Sequence, residues 1–301
     1  MTKISETIVF FGSGPVAAKS LDLLSTYFNI EAVVTKPAKN TKRDPVPVLD
    51  LANKLNINTY LPTNKAELNK LITEWSVKSK LAVLIDYGII VSQEVIDYFP
   101  LGIVNSHFSL LPLWRGADPI SFSILNGDKE TGVSLMLLTA GMDEGPIIKQ
   151  EALKDSFGLD SIELTDRLVS LSNQLLEENI QKYIDKDLLP TEQDTTIKPT
   201  YSTKLSKTDG LINWNKPAIQ IEREIRAYLE WPKSYTTLNN IDLIITKAKV
   251  IDRQGKPGKF EVDGSSLIVF CGEAALSIEK IKPSGKKEMD IKPFLLGYHL
   301  N

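Results

Sequence analysis

In 301 residues this chain has two histidines and one cysteine. A lone cysteine, Cys271, cannot build an internal disulfide framework, and it suits a reducing compartment. Three such residues scattered along the sequence form no cluster of imidazole and thiolate ligands, so no metal is expected. Long apolar runs are missing as well. No stretch approaches the roughly 20 residues needed to span a bilayer, and the opening "MTKISETIVFFGSG" has an apolar run too short for a signal peptide. These absences lead to the expectation of a soluble, cytoplasmic protein with no membrane partner. Bulk basicity is absent too, because the formal net charge is -3. Its distribution is uneven: residues 201–301 carry 16 Lys and Arg against 12 Asp and Glu, while residues 1–200 carry 19 against 26. A polyanion facing the C-terminal third would account for this, and so would a chance difference between two solvated surfaces.

What is present is the pattern of an ordinary globular α/β chain, long enough for two cores. The short strand "TIVFF" at 7–11 leads through a Gly-rich turn into the helical "AAKSLDLLSTYF". Further strands are expected at "EAVVT", near 57–60, at 81–86 and at 102–105, with helices around 46–55, 65–76 and 92–98 between them. Strands alternating with helices imply right-handed crossovers and a doubly wound, mostly parallel, Rossmann-like sheet. A long amphipathic helix is expected over about 160–186. Residues 188–203, with two prolines and many polar groups, read as a linker. Beyond a helix near 217–228, short alternating segments separated by Gly, Asn, Asp and Pro suggest a small antiparallel, OB-like β-barrel. The expected organisation is therefore a catalytic domain over 1–187, the linker 188–203, and a barrel domain over 204–301.

Two motifs compete for the chemistry. Gly12-Ser13-Gly14-Pro15-Val16-Ala17 fits a dinucleotide fingerprint, but the second strand ends in "VVTKP", with Lys36 where a ribose-binding acid is required. The glycines are read as a tight strand-to-helix turn. The second motif is "GIVNSHFSLLPLWRGADPI", residues 102–120. Side chains alternate along a strand, so Asn105 and His107 project to one face. In doubly wound folds ligands bind at the carboxyl ends of the strands. There an amide can donate to a developing oxyanion and an imidazole can move a proton near neutral pH. Asp143 or Glu144 in the loop "TAGMDEGPI" supplies the missing carboxylate. A histidine placed only for structure fits the same pattern. A Ser-His-Asp hydrolase does not, because no G-x-S-x-G elbow occurs.

Several of these blocks together resemble the folate-dependent formyltransferases. The shared elements are Asn105, His107, Ser109-Leu110-Leu111-Pro112, Arg115-Gly116 and Met142-Asp143-x-Gly145. The likeness continues through "TYSTKLSKTDGLINWNKPAIQIEREIRAYLEWP" and "KPSGKKEM", so it covers nearly the whole chain. These later stretches are similar to the members acting on a charged tRNA rather than to the single-domain members acting on a ribonucleotide.

The resemblance implies transfer of the formyl group of 10-formyltetrahydrofolate to the α-amino group of methionyl-tRNA, with an amino sugar nucleotide as the alternative acceptor. It implies catalytic roles for Asn105, His107 and Asp143. It implies a folate pocket lined by Tyr87, Gly88, Ile89, Ser109, Leu110, Leu111, Pro112 and Gly141. Phosphate contacts are expected from Lys36, Lys39, Lys42 and Arg43 of the 36–45 loop and from Lys204 and Lys207, in a monomer. Three positions depart from the family pattern: Leu113 replaces an arginine, Asp118 a small residue, and Asp86 an alanine. The 36–45 loop is also shortened.

Overall fold

The run "TIVFF" forms β1, Thr7–Phe11, with Ile8, Val9, Phe10 and Phe11 fully buried. A strand apolar on both faces belongs in the middle of a covered sheet. Gly12 permits the turn out of it, since a Cβ there would come within 2.6 Å of Ala17 Cβ. Pro15 then opens α1, Pro15–Tyr27, at a position where a missing N–H costs nothing. The computed structural model describes residues 6–38 and 46–298.

The sheet continues with β2 (Asn29–Val34), β3 (Asn58–Tyr60), β4 (Leu81–Leu84) and β5 (Ile103–His107). After the two-residue β6 (Arg115–Gly116), β7 (Gly132–Leu137) and β8 (Ile147–Ala152) complete it. Strand order is β3-β2-β1-β4-β5-β7-β8. The first five run parallel, and β7 and β8 are antiparallel additions at one side. The mostly parallel expectation is thus met. The helices α2 (Pro47–Lys54), α3 (Lys65–Glu74) and α4 (Gln93–Asp97) make the crossovers. A helix unread in the sequence, α5 (Pro119–Asn126), starts at Pro119, so the proline there begins an element rather than prolonging a loop. The long helix α6 spans Ser161–Ile184 and lies against β5 through a 2.6 Å hydrogen bond between the Ser106 and Ser172 hydroxyls.

The chain divides into two compact units. The first holds residues 1–119, 130–155 and 165–202, and the second holds 120–129, 156–164 and 203–301. Residues 188–202, read as a linker, therefore belong to the first unit. Within them β9 (Tyr201–Ser202) pairs in parallel with β6, and the bridge Ile147↔Thr191 ties the segment to β8.

In the second unit α7 (Ala218–Ala227) is followed by β10 (Ser234–Leu238) and β11 (Ile241–Ile251). Asn239 and Asn240 join these strands, both with positive φ (47° and 61°), the requirement of a tight type I′ hairpin. With β12 (Phe260–Asp263), β13 (Ser266–Phe270), β14 (Ala275–Pro283) and β15 (Met289–Asp290) they form a six-stranded antiparallel sheet. Its buried face meets α7 and α8 (Ile291–Gly297) over Ile221, Ile225, Ile245, Val269 and Phe294. No described helix is long and apolar enough to cross a membrane.

Candidate active site

β5 is flanked on both sides, its Asn105 paired with Leu84 of β4 and its His107 with Ser134 of β7. Two neighbouring ladders fix its register, and with it the common face of Asn105 and His107. Both side chains are buried, exposed by only 7% and 6%. Burial of two polar groups demands partners, and the loops supply them.

Asn105 Nδ2 donates to Asp143 Oδ1 at 3.3 Å, which orients the amide with one N–H toward the carboxylate. The other oxygen, Asp143 Oδ2, accepts the backbone N–H of Gly116 at 2.7 Å and lies 3.7 Å from His107 Nδ1. His107 Nε2 is 2.9 Å from the Trp114 carbonyl, an atom able only to accept. Nε2 therefore carries the proton in the neutral ring, and Nδ1 presents its lone pair beside Asp143. This is the tautomer of a base that waits for a proton, next to an anion that would stabilise the resulting imidazolium.

Backbone geometry holds these contacts in place. Trp114 and Asp143 both adopt left-handed φ, at 57° and 50°. An aspartate tolerates that region, but a tryptophan reaches it only where its surroundings insist. Trp114 N–H donates to Thr200 Oγ1 at 2.9 Å, and Arg115 N–H donates to the Thr200 carbonyl at 2.9 Å. Gln193 Nε2 donates to the carbonyls of Asp143 (2.7 Å) and Gly145 (3.0 Å), while its Oε1 accepts from Arg115 (2.7 Å). Gln193 and Thr200, in the segment read as a linker, thus hold the loops bearing Asp143 and Trp114. Nothing in the local sequence marked either residue, because their partners are backbone groups distant along the chain.

The remaining expected site residues fall into groups. Ser109 and Leu111 are buried and held by Ser134, whose hydroxyl donates to the Ser109 carbonyl (2.6 Å) and accepts the Leu111 N–H (3.0 Å). Pro112 is buried, and Leu110 and Gly141 are half-buried. Tyr87 packs its ring edge-on to Phe11 at 5.4 Å in the core, whereas Gly88 is exposed and Ile89 half-buried. Lys204 and Lys207 are exposed in the second unit. Lys39, Lys42 and Arg43 lie outside the described residues. Lys36 is half-buried, and its Nζ donates to the Gly88 carbonyl at 2.9 Å.

Near Lys36 stands Asp86, exposed to solvent yet with its carboxyl pushed up to about 6 by burial, an effect opposed by Lys36 and reinforced by Asp118. A carboxylate open to water on one side and crowded by protein on the others reconciles the two observations.

Comparison with known proteins shows the family to which the chain belongs. Residues 7–180 match the model of the formyl transferase family, and residues 204–299 match the model of the formyl transferase C-terminal domain. A protein of Magnetococcus marinus named methionyl-tRNA formyltransferase is 33% identical over 297 residues, covering 97% of this chain and 95% of its own. A protein of Stutzerimonas stutzeri with the same name is 36% identical over 286 residues, covering 93% of this chain and 91% of its own. Among solved structures, an N-formyltransferase of Helicobacter canadensis in complex with folinic acid and dTDP-3-aminofucose superposes with a TM-score of 0.68. At 20% identity, with 96% of this chain and all of the other covered, that likeness speaks for the fold.

Proposed function

Because the chain belongs to the formyl transferase family, we propose that it transfers the formyl group of 10-formyltetrahydrofolate to the α-amino group of methionyl-tRNA. One observation carries the mechanism: the buried set Asn105, His107 and Asp143, with the imidazole in its proton-accepting tautomer.

The acceptor's amine attacks the formyl carbon, a new C–N bond forms, and a tetrahedral oxyanion results. Asn105 Nδ2 has two hydrogens, one directed to Asp143 and one left for that oxyanion. A donor of this kind contributes roughly 3–4 kcal/mol to the transition state. His107 Nδ1 takes the proton that the amine loses, and Asp143 stabilises the imidazolium. The bond to the folate nitrogen then breaks, and His107 returns the proton to that leaving group. A free α-amino group has a pKa of about 8, so much of it is already nucleophilic and no covalent enzyme intermediate is required.

The donor occupies a pocket bordered by the Tyr87-Gly88-Ile89 loop, the Ser109–Pro112 segment and Gly141. The tRNA is held by basic groups, Lys204 and Lys207 among them, and by the 36–45 loop. The enzyme works as a monomer in the cytoplasm and uses no metal. Incubation with 10-formyltetrahydrofolate and either methionyl-tRNA or an amino sugar nucleotide tests this reading. Formylation of the tRNA is expected, and formylation of the sugar alone would overturn the acceptor. Replacing Lys204 and Lys207 with alanine should raise the Michaelis constant for methionyl-tRNA and flatten its salt dependence by about one unit of log-log slope per lost phosphate contact.

A further inference from the structure

Three segments meet at Lys36. Its backbone N–H donates to Ser13 Oγ at 3.2 Å, and Ser13 N–H donates to the Asp86 carbonyl at 3.0 Å. The Lys36 ammonium reaches across to the Gly88 carbonyl at 2.9 Å. Asp86 and Gly88 both have left-handed φ, 47° and 69°, so the loop leaving β4 turns sharply on either side of Tyr87. The Asp86 carboxylate folds back over Gly14, where a Cβ would stand 2.0 Å from Oδ2. Asp86 thus occupies space that any residue larger than glycine at position 14 would claim. Its charge is compensated by Lys36.

From this arrangement we propose that Lys36 is a positioning residue for the donor, its ammonium pinning the Gly88 peptide and its charge balanced by Asp86. The proposal rests on the reading of Tyr87-Gly88-Ile89 as part of the donor pocket. An ammonium engaged with a carbonyl and beside a carboxylate is a poor phosphate ligand, because the pair presents little net charge to a polyanion. The same engagement suits it to fix a loop. A backbone carbonyl accepting from a charged donor makes a stronger bond than one accepting from a neutral group, and here that bond orients a peptide next to a flexible glycine.

The test compares wild type with Lys36→Met, Lys36→Gln and Lys36→Arg, checking each fold by circular dichroism. Equilibrium binding of tetrahydrofolate should weaken roughly tenfold in Lys36→Met, the effect of one lost hydrogen bond from a charged donor. Lys36→Arg should recover most of the loss, and Lys36→Gln, a donor without charge, should fall between. The Michaelis constant for methionyl-tRNA and its salt slope should not move. Carbon-13 NMR of the Asp86 carboxyl should titrate at higher pH in Lys36→Met and Lys36→Gln, because the compensating cation is gone. Unchanged tetrahydrofolate binding in the folded variants would overturn the proposal, as would an effect confined to the tRNA constant with a flatter salt slope. Wild-type protein that binds no tetrahydrofolate would instead remove the donor reading beneath it, an outcome visible before any variant is made.

Discussion

Two aspartates in the first unit share a backbone state and little else. Asp143 and Asp86 have φ of 50° and 47°. Asp143 accepts hydrogen bonds from Asn105 and Gly116 and faces His107. Among the described residues the Asp86 carboxylate accepts no hydrogen bond; its neighbours act on it through charge, Lys36 favouring ionisation and Asp118 opposing it. One carboxylate is oriented by donors and can serve a reaction. The other meets its neighbours through charge, its carboxyl raised to about 6, and balances a cation. Residue type and dihedral angles do not assign a role; the donors around each oxygen do.

Asp143→Asn should break the first half of this comparison most severely. The amide keeps the shape but loses the charge that stabilises an imidazolium, and it brings a second N–H group toward Asn105. Turnover in steady-state formylation should fall by at least about a hundredfold with the circular dichroism unchanged. A smaller effect, on the order of tenfold, is expected for Gln193→Ala, which frees the Asp143 and Gly145 carbonyls and leaves the Arg115 guanidinium its contact with Glu144. A turnover equal to wild type would mean that the loop needs no such support.

Asp86→Asn sharpens the second half. The folded protein raises this carboxyl from 3.8 to about 6, so it binds the proton more tightly than the unfolded chain does. Ionised Asp86 therefore costs stability, a cost absent below pH 3.8 and complete once pH rises above about 6. The variant should melt higher than wild type at pH 7.5, with the advantage vanishing near pH 4. A variant less stable at pH 7.5 would show that the attraction to Lys36 outweighs burial. The smallest effect belongs to Cys271, which is buried with its thiol pushed up to about 11. Cys271→Ala should retain full activity, and a thiol reagent at pH 7.5 should leave folded wild-type enzyme active.

The sequence made the strand-end pair legible for a simple reason: alternation along β5 places Asn105 and His107 together, and few histidines compete for attention. The parallel sheet and the antiparallel second sheet were legible from the same periodicities. Gln193 and Thr200 were not, because their work is done through carbonyls and N–H groups that any residue supplies. The tautomer of His107 was equally hidden, since it is set by the backbone oxygen of Trp114 in a strained conformation. Lys36 was read by its charge as a phosphate ligand, and only the geometry showed its ammonium turned toward Gly88. Short elements such as β6 and β9, each two residues long, leave no periodic trace at all.

The central claim is that His107, held as a proton acceptor beside Asp143, carries formyl transfer to methionyl-tRNA. Single-turnover rates of formyl-methionyl-tRNA formation, measured with saturating 10-formyltetrahydrofolate for wild type and His107→Ala, test it most directly. The account predicts rapid transfer by wild type and a rate lower by two orders of magnitude or more, roughly the value of a general base, in a folded variant that still binds tetrahydrofolate. A folded His107→Ala enzyme transferring within a few-fold of the wild-type rate would contradict it.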